Sequence, residues 1–472
     1  MAQKRKKAEG NTDPRRNLPS VSVLLEQPRV QALIVEHTRP LVLGAIDQAL
    51  GDFRRTLKPG DAAPDIDATV DRVEEALLHS VLDRIRPVVN ATGIILHTGL
   101  GRAVLPKAAA AALAKIDRCH NLQMDLETGL RGKRNYMSEQ LVCKLTGAEA
   151  AMVVNNNAGA TLLILAALCK DKEVVVSRGQ LIEIGGSYRL PDCIHQSGAV
   201  MVEVGTTNKT HLRDYEQAIT ENTGALLRVN PSNYRVIGFA QDVPVAELVT
   251  LKKDRDLLVI DDLGCGALID TAQFGLPHEP TAPDSVAAGA DLVCFSGDKM
   301  IGGPQAGIIV GRGDLIARIR KHPLTRMLRV GKMTDVALET TLRLFLEPET
   351  LRETNPTIGM IAAAPAQLKR RAIRLKNQIV RQCPSVDAQV RQGESATGGG
   401  SLPATPLPTH VVAVTVPGMS AETLAMGLRK NEPPVIARIV EDEVLLDVRT
   451  MLDGDDRAVV DALAHIAGQG QG

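Results

Sequence analysis

Between residues 150 and 312 the chain carries seven short apolar runs: AAMVVNN, KEVVVSRG, AVMVEVG, GALLRVN, DLLVIDD, DLVCFSG and AGIIVGR. Most are separated by stretches with helical character. Apolar runs without polar alternation suit strands that are covered on both faces, and parallel pairing joined by crossover helices provides that cover. The pattern predicts an α/β fold built on a mostly parallel sheet. Ligands of such sheets gather at the carboxyl ends of the strands, where these runs end in Asn, Ser, Gly and Asp.

One of those ends holds Lys299, in FSGDKMIGGPQAGIIVGR, between an apolar run and a glycine-rich loop. A lysine is ordinarily a surface residue. Set among glycines between two buried strands, its ammonium is desolvated, which lowers the pKa and makes the amine nucleophilic, as Schiff-base chemistry requires. A carbonyl cofactor follows, with pyridoxal 5′-phosphate as the candidate. That cofactor also needs a carboxylate facing its ring nitrogen and a cradle for its phosphate.

The run LLVIDDLGCG supplies the carboxylate, as Asp261 or Asp262; the sequence leaves open which of them faces the ring, and a strand end or helix cap would also explain an aspartate there. The cradle candidate is VVNNNAGATLLILAAL, where a strand gives way to a helix opening on Asn157, Ala158 and Gly159. Amides of a first helical turn have no helical acceptor, and the helix dipole favours an anion there.

The chain has 472 residues, more than one core usually serves at about 100–200 residues per domain. Residues 1–17 hold six Lys/Arg against Glu9 and Asp13 and read as a disordered basic tail. Residues 18–85 show helical periodicity, with breaks expected at Pro28 and Pro40. Residues 86–355 contain the seven runs, and 356–472 repeat the strand and helix alternation on a smaller scale. In the helix expected over 368–379, Leu368, Ala372, Leu375 and Ile379 fall on one stripe. Net charge is +0, so no global field draws the protein to nucleic acid or membrane, and attraction must be local. Seven scattered cysteines without a C-x-x-C pair argue against a disulfide framework and a zinc site and suit a cytoplasmic protein. No run approaches the roughly 18 apolar residues of a membrane span.

The segments RPVVNATGIILHTGLGRAVLP, SRGQLIEIGGSYRLPD, EVGTTNKTHLRDYEQAI, FSGDKMIGGPQAGIIVGR and GGGSLP resemble those of bacterial selenocysteine synthase, the L-seryl-tRNA(Sec) selenium transferase family. The resemblance spans nearly the whole chain. It implies a fold type I, aspartate-aminotransferase-like pyridoxal-phosphate enzyme that converts seryl-tRNA(Sec) to selenocysteinyl-tRNA(Sec), by β-elimination of water and addition of selenium from selenophosphate. It further implies a homodecamer arranged as a pentamer of dimers. The core looks sufficient for pyridoxal chemistry without residues 1 to about 82, which assigns tRNA selection to the N-terminal helical domain. By position, Lys299 is the cofactor lysine, Asp298 its essential neighbour and Asp262 the ring partner, while Arg102, Arg326 and Arg329 form the selenophosphate site. Arg326 and Arg329 are three apart and would share a face on a helix. The alternative is a related pyridoxal-phosphate lyase acting on a small phosphorylated amino compound. His97 is a further pocket candidate, with a core role as its competing explanation.

Overall fold

The computed structural model describes residues 13–78, 85–132, 135–253 and 255–469. The chain divides into two compact units, Met1–Pro87 and Val88–Gly472. No described helix is long and apolar enough to cross a membrane.

In the first unit a single 3-10 turn, Pro14–Asn17, precedes the helices α1 (Val21–Leu25), α2 (Pro28–His37), α3 (Arg39–Thr56) and α4 (Ile66–Leu78). The expected basic tail lies outside the described residues up to residue 12. Its last residues are structured: Asp13 Oδ1 accepts the Arg15 N–H at 3.2 Å and Pro14 is buried. The two prolines expected as breaks begin helices. Pro28 is the first residue of α2 and Pro40 the second of α3, where the fixed φ suits a helix and the missing N–H has no helical acceptor to lose. Val42, Ile46 and Leu50 line one stripe of α3 and bury against Leu24, Val70 and Val73.

The second unit contains fourteen described strands: β1 (Val89–Ala91), β2 (Ala150–Val154), β3 (Glu173–Ser177), β4 (Glu183–Ile184), β5 (Tyr188–Arg189), β6 (Val200–Val204), β7 (Thr223–Val229), β8 (Leu258–Gly264), β9 (Leu292–Ser296), β10 (Gly307–Gly311), β11 (Asp387–Ser395), β12 (Leu407–Thr415), β13 (Val435–Val440) and β14 (Glu443–Asp447). The helices that matter for the site are α5 (Lys107–Leu113), α6 (Tyr136–Thr146) and α7 (Asn157–Leu168).

All seven apolar runs are strands of one sheet, in the order β2-β10-β9-β8-β7-β3-β6. β10 runs antiparallel to both its neighbours, and the other pairs are parallel. The pleat divides their side chains between two cores. Val153, Val175, Leu226, Val259 and Val293 face one, and Met152, Val174, Leu227, Ile260 and Cys294 the other. α7 is apolar nearly all round because it packs into the second core, burying Leu163, Ile164, Leu165 and Leu168. Gly307 opens β10 under the entry to this helix, where a Cβ would lie 2.1 Å from the Asn156 carbonyl oxygen.

The smaller sheet has the order β1-β13-β14-β12-β11. β1 pairs parallel with β13, Val89 opposite Val435, so the segment just after residue 86 joins strands near the far end of the chain. The helix Pro365–Gln382 lies on this sheet and buries Leu368, Ala372, Leu375 and Ile379, the stripe read from the sequence. Full burial contributes roughly 1.5–3 kcal/mol for each Leu or Ile side chain.

Candidate active site

Successive residues of a strand point to opposite faces, and the end of β8 uses this to separate its two aspartates. Asp261, fully buried, accepts from Arg228 Nη1 at 2.9 Å and Ser285 Oγ at 2.6 Å. Asp262, 6% exposed, accepts from Asn157 Nδ2 at 2.7 Å, Thr161 Oγ1 at 2.8 Å and the Gly264 N–H at 3.0 Å. Asp262 is therefore the aspartate on the α7 side, while Asp261 is occupied by an ion pair on the other. Burial pushes the Asp262 carboxyl upward, opposed by the hydrogen bonds from Asn157 and Thr161 and by the charge of Lys299.

At the start of α7, Asn156 caps the helix: its Oδ1 accepts the Gly159 N–H at 2.8 Å. Of the three residues expected in the cradle, Gly159 thus has its amide committed to the cap. Asn157 and Ala158 occupy the first two helical positions, whose amides the helix does not use. The Asn157 side-chain oxygen is buried without a partner.

Lys299 follows β9 in a loop closed on itself by Gly297 N–H to Ala306 O at 2.8 Å, Gly303 N–H to Gly297 O at 2.9 Å and Gly302 N–H to Lys299 O at 2.9 Å. The lysine is 9% exposed. Burial lowers its pKa; Cys265, Asp298 and Asp262 oppose the shift, and Arg102 adds to it. Asp298 is ion-paired to Arg102, Oδ2 to Nη1 at 2.7 Å. Arg102 leaves the 3-10 turn Thr98–Leu100 with a φ of 64° and is held by its N–H on the His97 carbonyl at 3.0 Å. Lys299, Asp298, Asp262 and Arg102 thus belong to one electrostatic neighbourhood.

Arg326 and Arg329 do not share a helical face, contrary to the expectation from their spacing. The helix carrying Arg326, Leu324–Met327, is a single turn, and Arg329 lies beyond its end. Both side chains are exposed. The segment abuts the cradle: the Leu328 carbonyl accepts the Asn155 N–H at 2.8 Å, and a Cβ on Gly159 would meet the Leu328 side chain at 3.1 Å. Much of the basic run 312–332 is spent on internal partners, Arg312 on Asp291 and Asp314, Arg320 on Glu139 and Lys332 on the carbonyls of Ile116 and Arg118.

Sequence reasoning missed Thr161 as the second support of Asp262; its place one turn after Asn157 on the same helix was the available signal. It also missed Cys265, whose thiol donates to Glu279 Oε1 at 3.2 Å beside the lysine. The His97 ring Nδ1 is buried without a partner, at the turn that positions Arg102. A buried amine, a buried carboxylate, an unpartnered Asn157 oxygen and unspent amides at a helix start form a donor and acceptor set that fits pyridoxal 5′-phosphate.

The family model described as L-seryl-tRNA selenium transferase matches residues 88–452, and one described as selenocysteine synthase N terminal matches residues 15–54. A relative from Nitratidesulfovibrio vulgaris named L-seryl-tRNA(Sec) selenium transferase is 47% identical, over 96% of this chain and 99% of its own length. One of the same name from Caldanaerobacter subterraneus is 45% identical, covering 96% and 98%. Among solved structures, D-glucosaminate-6-phosphate ammonia-lyase superposes with a TM-score of 0.57 at 22% identity, over 82% of this chain and 97% of that one, a likeness of fold. The chain belongs to the L-seryl-tRNA selenium transferase family, whose members are pyridoxal 5′-phosphate enzymes of fold type I.

Proposed function

We propose that the protein converts seryl-tRNA(Sec) to selenocysteinyl-tRNA(Sec) with selenophosphate as the selenium donor. The observation that carries this reading is the similarity, over nearly the full length, to relatives bearing the transferase name. A lyase acting on a small phosphorylated amino compound shares the fold, but the matched N-terminal segment supports a larger substrate.

Lys299, Asp262, Asn157 and Ala158 would hold the cofactor, which when bound supplies an aldehyde for the seryl amine and a ring that withdraws electrons from Cα. Asp262 would hold the ring nitrogen protonated, its carboxylate fixed for that task by Asn157 and Thr161. Lys299, kept toward its neutral form by burial, would take the proton from Cα and return one there at the end, while the Cβ hydroxyl leaves with a solvent proton as water and the selenium of selenophosphate bonds to Cβ, its phosphorus passing to water as phosphate. Asp298 aims Arg102 through their ion pair, and the remaining N–H groups of Arg102, with Arg326 and Arg329, receive the donor oxyanion.

The helical unit 1–87 selects the tRNA, by contacts to its backbone and shape. The working form is a homodecamer made from dimers, a reading supported by exposed apolar side chains that include Leu126, Leu130, Met327 and Met333. The protein acts in the cytoplasm, in keeping with seven cysteines that form no disulfide. The test is to incubate purified protein with seryl-tRNA(Sec) and selenophosphate and identify the amino acid on the tRNA. Selenocysteine is expected, and unchanged serine would refute the reading.

A further inference from the structure

The helix Pro365–Gln382 buries one face on the smaller sheet and exposes the other. Its 18 residues include six Lys/Arg and no Asp or Glu. A helix face that is merely solvated interleaves both signs, because an acid three or four positions from a cation supports the helix. Arg371 is engaged internally, on the carbonyls of Val448, Met451 and Leu452 and on Asp456. Lys369, Arg370, Arg374 and Arg381 are exposed and Lys376 is half-buried, and none of these five forms an ion pair among the described residues.

At about 3.6 residues per turn, Arg370, Arg374 and Arg381 fall on one line along the helix, roughly 16 Å long at ~1.5 Å per residue. The residues beside that line, Gln367 and Asn377, are polar. Lys369 and Lys376 lie elsewhere, across a ridge formed by the exposed Ile373 and Val380. Arg370 and Arg374 are four apart, so they repel one another, and a bound polyanion would relieve the repulsion.

Arg370 and Arg374 also line a cavity of about 1140 Å³, together with Lys107, the first residue of α5. Five Lys/Arg and two carboxylates, Glu353 and Asp453, line it in all. Val104, Leu344 and Met360 contribute apolar wall, and walls of low dielectric focus the field of the charges around them. The cavity adjoins the reaction centre. Met360 packs in one apolar cluster with Met300, the residue after Lys299, and the chain from Arg102 to Lys107 spans at most about 18 Å.

The function inferred above calls for a positive surface. Its RNA substrate carries about one negative charge per nucleotide, and Lys/Arg contacts to phosphates supply much of the affinity of nucleic-acid-binding proteins. The helical unit contributes little net attraction, since fourteen Lys/Arg in residues 1–87 are matched by thirteen Asp/Glu. Such a balance suits recognition by shape.

We propose that Arg370, Arg374 and Arg381, with Lys107 across the cavity, form a docking surface for the phosphate backbone of the aminoacyl-RNA as it leaves the active site. The proposal rests on the function inferred above. Guanidinium forks match phosphate oxygens and stay charged at any working pH. Three of them drawn out along roughly 16 Å engage successive phosphates instead of converging on one, which favours a polymer over a small free oxyanion. The polar neighbours of the line offer nothing to the apolar face of an acidic protein helix, which favours RNA over such a partner.

The test uses full-length holoenzyme and the variant Arg370→Gln/Arg374→Gln/Arg381→Gln, with Lys369→Gln/Lys376→Gln as the control from across the ridge. In filter binding of seryl-tRNA(Sec) at about 0.15 M salt, the arginine variant should raise Kd roughly tenfold or more. Its plot of log Kd against log salt should be shallower by about 2, since each lost phosphate contact removes ~0.7–0.9 from the slope. Lys107→Gln should remove about one such contact, and Arg370→Lys/Arg374→Lys/Arg381→Lys should restore the slope by restoring the charge. The lysine control should keep the wild-type Kd. KM for selenophosphate, kcat at saturating tRNA, Tm and assembly size should stay at wild-type values throughout.

An arginine variant with wild-type Kd and slope would leave the face to an acidic protein partner and overturn the proposal. Equal losses in the lysine control would reduce the effect to net charge and overturn it too, as would a loss of affinity that follows a smaller assembly, which would make the face a subunit contact. A wild-type protein that does not turn over seryl-tRNA(Sec) defeats the underlying function; an active wild type with an unaffected arginine variant defeats only the assignment of this surface.

Discussion

Arg102 Nη1 holds Asp298 Oδ2 at 2.7 Å, one residue from the amine of Lys299. Although Arg102 lies 197 positions upstream in sequence numbering, its positive charge helps keep that amine neutral. Removing it should shift Lys299 upward, because the pull of Asp298 and Asp262 would then be opposed by burial alone. In apoprotein carrying Arg102→Ala, the pH profile of the rate of cofactor uptake should move its rising limb to higher pH, since only the neutral amine attacks an aldehyde. A limb at the wild-type position would show that the pair does not tune the lysine.

Lys299→Ala should fold normally and lose both turnover and the cofactor label fixed by borohydride. The label is the decisive measurement. Its persistence at wild-type stoichiometry would move the attachment to another lysine.

Asp262→Ala should weaken cofactor retention and abolish turnover, whereas Asp261→Asn should retain the cofactor and lose mainly stability. The difference follows from their partners: Asp262 faces α7 and Lys299, and Asp261 is closed off by Arg228 and Ser285. Equilibrium dialysis against the cofactor, with Tm measured alongside, separates the two. Equal cofactor loss in both variants would contradict the assignment of faces.

Arg326→Ala and Arg329→Ala should leave cofactor and tRNA binding near normal while selenium transfer falls about 10²-fold, as expected where a charge-assisted contact worth up to ~3 kcal/mol is lost. KM for selenophosphate is the quantity to follow. Normal transfer, or loss explained by dissociation of the assembly, would make these arginines structural.

Deletion of residues 1–87 should abolish binding of tRNA(Sec) in a gel-shift or filter assay and leave the cofactor absorption intact, because the residues proposed to hold the cofactor, Lys299, Asp262, Asn157 and Ala158, all lie in the second unit. The affinity of the intact chain should fall steeply with salt. A truncated protein that binds as tightly as the full chain would place recognition elsewhere.

The large sheet was legible because its seven strands are apolar on both faces, so each run announces itself without help from its neighbours. β1 was not legible. Its three residues, Val89–Ala91, carry no period, and the partner that makes them a strand begins at Val435. β11 was obscured by the opposite cause, an edge strand whose residues Asp387–Ser395 are largely exposed and polar. In the site, Lys299 and the aspartate pair stood out from their flanks. The choice of Asp262 depended on where α7 docks, and the pairing of Arg102 with Asp298 on a turn of positive φ; neither has a local signature. Arg326 and Arg329 show the limit of spacing arguments, since the helix that would align them ends after Met327.

The pairing of β1 with β13 also sets an order for synthesis. A nascent chain can complete the helical unit and then the large sheet, whose last strand ends at Gly311, while the smaller sheet still lacks partners. Val89–Ala91 must wait until Val435–Ala437 leave the ribosome, and closing so long a loop is the slow kind of step in folding. A message truncated before codon 435 would therefore yield a protein with Lys299 in place and its first strand still unpaired.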